Sequence, residues 1–235
     1  MSKSLLPNNN PFNATAELHF LEDGTLLYRH FTSNGIMSKF LHPQDVASAF
    51  GSLAVDSGWI PENIIRTGRC VAGDWYVYYH EPEVRTITID TSGMELPGLQ
   101  PMMKITIPIP GTILMGIGKG YFMWALNGNR RPTPNSNLFE LPLPNTDARI
   151  GSICFGSNEK PSNKVENAEA TWKMFMDTPF NGHLASSKHK EYEQDIRPFL
   201  FKLAEEKATE YPTKELVSLK RTLDQMITMI LERDM

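Results

Sequence analysis

The sequence has few of the residues that hold disulfide-rich and metal-binding proteins together. Only two cysteines occur among its 235 residues, Cys70 and Cys154, and they form no CxxC pair. This excludes a disulfide framework and argues against a cysteine zinc site. The six histidines include no HExxH or similarly spaced pair, so we expect no metal and no diffusible cofactor.

Long apolar runs and an excess of one charge are missing too. No run approaches the roughly 20 apolar residues of a membrane span, and the sequence begins with no apolar stretch of signal-peptide length. The net charge is −4, which argues against binding nucleic acid through its phosphates. We therefore expect a cytoplasmic protein with reduced thiols that binds neither nucleic acid nor membranes.

What the sequence does contain is a series of strand patterns followed by helix patterns. Alternating or β-branched stretches between Gly, Pro and Asn turns predict strands over 16–22, 25–32, 36–41, 74–82, 83–90, 102–110 and 112–126. Apolar residues at helical spacing predict helices over 43–56, 165–177, 191–208 and 215–234. This order indicates an α+β fold with an antiparallel sheet.

Three closely spaced glycines, Gly116, Gly118 and Gly120, have the look of a phosphate-binding loop. A phosphate loop must open a helix, however, and these glycines lead into Tyr-Phe-Met-Trp, which is a strand pattern. They predict a hairpin or a bulge instead.

Cys154 stands near the end of residues 127–160, a long region with almost no helical pattern. Such a region inside a compact domain is typical of a functional loop. Gly151 and Gly156 flank the cysteine and give the backbone freedom to present its thiol in a groove near amide donors. The alternative is a buried, inert cysteine, which is also our interpretation of Cys70.

The residues around Cys154 resemble the active-site segment of ubiquitin-conjugating enzymes. That segment has His-Pro-Asn, a short polar turn, and then Gly-x-Ile/Val-Cys. The matching residues here are Pro144, Asn145, Gly151, Ile153 and Cys154. Two departures are that Leu143 takes the place of the histidine and that Asn145 lies one residue further from the cysteine than in eukaryotic enzymes.

A longer pattern covers about residues 120–185. It comprises Trp-Ala, Arg-Pro, Leu-Phe, Pro-x-Pro-Asn, Gly-x-Ile-Cys-x-Gly, and a later Trp before Phe-x-x-x-Pro-Phe. The pattern is similar to the bacterial ubiquitin-conjugating-enzyme-like family D, known also as protein B of the ParB-related/ThiF-related cassette.

The resemblance implies a fold and a function. The fold is a ubiquitin-conjugating-like domain over 15–190, an antiparallel β-meander flanked by helices, with a flexible lead at 1–14 and a helical C-terminal extension at 191–235. The function is to accept a ubiquitin-like modifier from a ThiF-like activating enzyme as a thioester on Cys154, with Asn145 stabilising the oxyanion when an amine attacks. Four charged residues near the loop are candidates for docking: Arg130, Arg131, Asp147 and Arg149.

Two other functions stay open at this point. A catalytically inactive variant of the same fold would only bind the modifier as a scaffold. A thiol hydrolase would use Cys154 and His183 and would turn over without an activating enzyme.

The C-terminal region 213–233 carries apolar residues at heptad spacing: Leu216, Leu219, Leu223, Met226 and Ile230. They predict an amphipathic helix, which either packs on its own domain or serves self-association or partner docking.

Overall fold

The computed structural model of the chain describes residues 14–46, 60–70, 72–95, 98 and 100–233. The chain clusters into two compact units, Met1–Gly58 and Trp59–Met235. The predicted flexible lead, 1–14, lies outside the described residues except for its last residue. The predicted domain boundaries after residues 14 and 190 stay predictions.

The first unit contains an antiparallel sheet of three strands in sequence order, β1 (Ala16–Phe20), β2 (Leu26–Thr32) and β3 (Gly35–Leu41). The three predicted strands and both hairpins are thereby confirmed. Residues 43–46 are helical, and the rest of the helix predicted over 43–56 lies outside the described residues.

The second unit contains the strands β4 (Ile64–Cys70), β5 (Gly73–His80), β6 (Glu83–Asp90), β7 (Met102–Ile109), β8 (Thr112–Ile117), β9 (Gly120–Leu126), β10 (Asn137–Phe139) and β11 (Ser218–Thr222). Six of them form an antiparallel sheet with the order β11-β10-β9-β8-β5-β4, and β6 and β7 form a separate two-stranded ribbon. Its helices are α1 (Ala168–Asp177), α2 (Arg197–Glu205) and α3 (Leu223–Arg233). The predicted α+β class with antiparallel sheets is confirmed.

An apolar cluster covers each face of the six-stranded sheet. Alternate side chains of a strand point to opposite faces, so one strand contributes to both clusters. On β5, Trp75, Val77 and Tyr79 join an apolar cluster with the buried side of α3. Tyr76 and Tyr78 join the other cluster, which includes α1, α2 and the β6-β7 ribbon. The sheet is therefore the middle layer of this unit.

The stretch predicted as one strand over 112–126 is two strands, β8 and β9, paired in a hairpin. Gly118 and Lys119 form its turn, and the φ of 54° at Gly118 is one that glycine adopts without strain. The interpretation of the glycines as a hairpin is confirmed.

Two of the predicted later helices are confirmed with shorter bounds. The pattern over 165–177 forms a 3₁₀ turn, Val165–Asn167, followed by α1. The pattern over 191–208 forms α2, in which Pro198 occupies the first turn, where a missing N–H costs nothing.

The helix predicted over 215–234 begins only at Leu223, because β11 occupies Ser218–Thr222 and pairs with β10. Thr222 and Gln225 form a reciprocal capping box at this junction: the Gln225 side chain accepts from the Thr222 N–H at 3.0 Å, and Thr222 Oγ1 accepts from the Gln225 N–H at 3.4 Å. The heptad spacing that begins at Leu216 therefore does not describe one helix.

Candidate functional site

Cys154 follows a short extended segment, 151–153, that pairs with β9. The Met123 N–H donates to Gly151 O at 2.8 Å and the Ile153 N–H donates to Tyr121 O at 2.9 Å. One edge of β9 pairs with β8, and the other edge pairs with β10 only at Ala125 and Leu126. The segment 151–153 pairs with that second edge beyond the end of β10. The cysteine is thus fixed by the main sheet.

The turn before this segment is organised by Asp147. Its Oδ1 accepts from the N–H groups of Arg149 at 2.9 Å and Ile150 at 3.1 Å, as an aspartate does in an Asx turn. Burial alone would raise the pKa of Asp147, but these two donors and the Arg149 guanidinium outweigh it and hold the pKa below its usual value.

Gly151 closes the turn where no other residue fits. Its φ is 74°, and an added Cβ would lie 2.5 Å from Trp124 Nε1 and 2.6 Å from Met123 O. Trp124 Nε1 itself donates to Ile150 O at 3.0 Å. The glycine that the family pattern contains is therefore required here both by backbone conformation and by space.

Asn145 joins three segments of chain around the cysteine. It is 5% exposed and has a φ of 64°, a left-handed conformation that asparagine tolerates. Its carbonyl accepts from the Cys154 N–H at 2.8 Å, its own N–H donates to His183 O at 3.0 Å, and its Nδ2 donates to Pro179 O at 3.1 Å. Asn145 therefore contacts Cys154 through the backbone, while its side chain holds the loop after α1.

A buried polar cluster lies directly behind this loop. Lys188, which is fully buried, donates to Thr146 Oγ1 at 2.9 Å and pairs with Glu140 Oε2 at 3.4 Å. Burial raises the pKa of Glu140 to about 7, although the Lys188 ammonium opposes the rise. Burial likewise lowers the pKa of Lys188. Because Thr146 also bridges to Ile153, the cluster supports the residue that precedes Cys154.

The Cys154 groove is a cavity of about 440 Å³ lined by Asp147, Arg149, Ile150, Ser152, Ile153, Cys154, Leu184 and Arg233. Cys154 is half-buried with a free thiol, and the Arg149 side chain is 89% exposed. Of the four predicted docking residues, Asp147 and Arg149 line this groove and Arg130 and Arg131 do not.

Neither the His183 side chain nor Cys70 lines the Cys154 groove. The His183 side chain is exposed and is not among the described residues that line the Cys154 groove. Cys70 ends β4, where its thiol donates to Gly73 O at 3.6 Å across the hairpin and partly packs on the cluster beneath α3.

Sequence reasoning missed Glu140, Lys188 and Thr146. Glu140 and Lys188 are separated by 48 positions, and no periodic pattern marks either of them as buried. Leu143, which takes the place of the family histidine, is 1% exposed and belongs to the core.

Two further findings concern the part of the chain that the structure describes. It holds no group of three or more His, Cys, Asp or Glu side chains placed to bind a metal ion. None of its helices has both the length and the apolar character needed to cross a membrane.

The chain belongs to prokaryotic E2 family D, whose family model matches residues 36–219. The match covers most of the chain and includes Asn145, Gly151 and Cys154. No curated protein and no solved structure matches the sequence. Membership confirms the resemblance and supports a ubiquitin-conjugating-like role, with a modifier and an activating enzyme as partners in general.

Proposed function

We propose that this protein is a ubiquitin-conjugating-like carrier. It takes a ubiquitin-like modifier from a ThiF-like activating enzyme as a thioester on Cys154 and passes it to an amine. The observation that carries the proposal is the placement of Cys154, half-buried in an open groove and tied to the sheet and to Asn145 by backbone hydrogen bonds.

The chemistry needs only the thiol of this chain. The Cys154 thiolate attacks the carbonyl carbon of the modifier's thioester on the activating enzyme, a new C–S bond forms, and the enzyme's own thiolate leaves. An acceptor amine then attacks the Cys154 thioester, an amide bond forms, the Cys154 thiolate leaves, and the amine proton passes to solvent or a base. No cofactor takes part in either step.

The fold proposed with this function is a ubiquitin-conjugating-like domain over 15–190 with a C-terminal extension over 191–235. Its support is the order of antiparallel strands before Cys154 and helix α1 after it. Cytoplasmic location is part of the proposal, since Cys154 must stay a thiol. Self-association through 213–233 is not part of it, because the apolar side of α3 is buried against the sheet of its own unit.

Loading on a gel tests the proposal directly. The protein is incubated with a candidate modifier, its activating enzyme and ATP and run without reductant. We expect an adduct that thiols remove, that Cys154→Ala abolishes and that Cys70→Ala, a matched control, leaves intact. Modifier binding without an adduct would favour the catalytically inactive scaffold. Modifier hydrolysis without the activating enzyme would favour the thiol hydrolase.

Asn145 is proposed as the positioning residue of this site. The Nδ2 bond to Pro179 O supports that role, and the oxyanion role implied by the resemblance stays a prediction. Asn145→Gly separates them, because glycine keeps the left-handed conformation and removes only the amide. Loss of positioning slows both loading and transfer to a free amine. Loss of a donor to the oxyanion that forms when the amine attacks slows transfer and leaves loading at the wild-type rate.

A further inference from the structure

Leu184 lines the Cys154 groove from outside the loop that carries the cysteine. Six of the eight described residues that line the groove lie between positions 147 and 154, and the other two are Leu184 and Arg233. Arg233 ends α3 and is charged and exposed. Leu184 is therefore the one apolar residue among them that a different segment of the chain contributes to the groove.

The backbone at Leu184 is strained. Its φ is 54°, in the left-handed region, where the Cβ of an L-residue lies too close to the following carbonyl oxygen. Glycine avoids that clash and asparagine tolerates the region, whereas leucine seldom adopts it. Because strained residues are concentrated at functional sites, a leucine in this conformation beside Cys154 points to a use for its side chain.

Hydrogen bonds on both sides keep Leu184 in this conformation. The His183 carbonyl before it accepts from the Asn145 N–H at 3.0 Å, and the carbonyl of the residue after it accepts from the Ile196 N–H at 3.1 Å. The carbonyl of Asn145 in turn accepts from the Cys154 N–H. Asn145 therefore ties the segment of Leu184 to the cysteine.

Core packing does not account for the Leu184 side chain. It is half-buried and belongs to neither of the two apolar clusters that the described residues form. Together with Ile150 and Ile153 it gives the groove its apolar lining. An apolar wall beside a reactive group keeps water away from it and so prevents hydrolysis of an intermediate.

We propose that Leu184 covers the thioester on Cys154 and excludes water from its carbonyl carbon, so that the modifier is kept for an amine. The inference rests on the carrier function, since it concerns the loaded cysteine. The reaction that Leu184 slows is hydrolysis. Water attacks the carbonyl carbon, a C–O bond forms, the C–S bond breaks, the Cys154 thiolate leaves, and the protons pass to solvent. The products are the free carboxylate of the modifier and the unloaded cysteine.

The test uses the full chain with Cys70→Ala, which leaves Cys154 as its single cysteine. S-phenyl thioacetate is the probe. The Cys154 thiolate attacks its carbonyl carbon, takes the acetyl group and releases thiophenolate, so a thioester forms without a modifier or an activating enzyme. After the probe is removed, loss of the acetyl group from the peptide that contains Cys154 is followed by mass spectrometry.

Three variants of Leu184 separate its conformation from its apolar side chain. Leu184→Gly keeps the left-handed conformation and removes only the wall, so its acetyl thioester should hydrolyse about tenfold faster. Leu184→Asn tolerates the same φ but is polar, and it should also hydrolyse faster. Leu184→Met is apolar and similar in volume, and it should hydrolyse within about twofold of the unchanged residue. An unchanged rate in Leu184→Gly, or equal rates in Leu184→Gly and Leu184→Met, would overturn the proposal.

Ser187→Gly is the matched control for the loop. Ser187 has a φ of 63°, is exposed, and is not among the described residues that line the groove. Glycine relieves the same strain there, and the hydrolysis rate should stay within about twofold of the unchanged protein. Equal acceleration in Ser187→Gly and Leu184→Gly would mean that the freedom of the loop sets the rate, and would overturn the proposal. A protected acetyl thioester in a protein that forms no modifier adduct would refute the carrier function alone.

Discussion

Replacing Glu140 by glutamine should remove a pH dependence that the buried cluster behind Cys154 gives to stability. Glu140 is 4% exposed, and its pKa in the folded protein is about 7 against an ordinary value of 4.5. For a carboxyl whose pKa is raised by folding, the free energy of unfolding is highest below the unfolded pKa, where the group is protonated in both states. It falls as the pH rises towards the folded pKa, because the unfolded chain ionises first. In the wild-type protein, Glu140 should therefore lower stability between pH 4.5 and about 7.

The size of the effect follows from that pKa difference. One pKa unit corresponds to about 1.4 kcal/mol. The folded state must ionise a carboxyl that the unfolded chain ionises more easily, and this penalty grows by about 2 to 3 kcal/mol between pH 5 and pH 8. The Glu140→Gln variant lacks this penalty. Burial lowers the pKa of Lys188 and the Glu140 carboxylate opposes that lowering. Removing the carboxylate therefore acts on Lys188 in the same direction, because a lysine whose pKa is lowered by folding gains stability as the pH rises.

The assay is urea unfolding of the two proteins at pH 5 and pH 8. The free energy of unfolding of Glu140→Gln minus that of the wild type should rise by about 2 to 3 kcal/mol from the lower to the higher pH. Lys188→Met is the opposing variant. It leaves Glu140 buried without its cation and should cost about 3 to 5 kcal/mol at pH 8 but less at pH 5, where Glu140 is protonated. A difference for Glu140→Gln that is the same at both pH values would refute the reasoning.

Two other substitutions test the packing around the site and under the sheet. Gly151→Ala combines a strained φ with overlap on Trp124 and should lower the free energy of unfolding by about 3 kcal/mol or more in chemical denaturation. The control Gly156→Ala has a φ of 61° but no atom within 4 Å and should cost about 1 to 2 kcal/mol. Equal losses in the two variants would contradict the close contact at Gly151. Ile227→Ala, at a 2% exposed position of α3, should lower the free energy of unfolding by about 2 to 5 kcal/mol. The control Thr228→Ala, at the exposed neighbouring position, should change it by less than about 0.5 kcal/mol. A small effect at Ile227 would mean that α3 contributes little to the core.

The sequence predicts the strands well wherever a local pattern decides them. Asp23-Gly24 marks a hairpin because it supplies the left-handed conformation cheaply, and the structure has β1 and β2 on either side. The same reasoning fails over 215–234, where Leu216 and Leu219 match a helical period without lying on a helix. Tertiary pairing of β11 with β10 overrides the local period there. The capping box at Thr222 and Gln225 is the local signal that marks the true helix start.

The residues of the candidate site likewise fall into those that the sequence predicts and those that only the fold brings together. Asn145, Gly151 and Cys154 lie close in the chain, so a family pattern groups them from the sequence alone. Glu140 and Lys188 meet only because the fold brings together residues 48 positions apart. Glutamate and lysine are seldom fully buried, so their residue types alone predict exposed positions for both. Only the three-dimensional contact shows that each is the other's partner.

The way in which Cys154 is held determines how its variants can be interpreted. The segment before Cys154 is fixed by the hydrogen bonds from Met123 N–H to Gly151 O and from Ile153 N–H to Tyr121 O. The N–H of Cys154 donates to Asn145 O. All of these bonds are made by the backbone, so none of them depends on the sulfur. Cys154→Ala should therefore keep the segment and the groove in place. Loss of the adduct in that variant, with modifier binding retained, then reports on the sulfur itself and not on the fold that presents it.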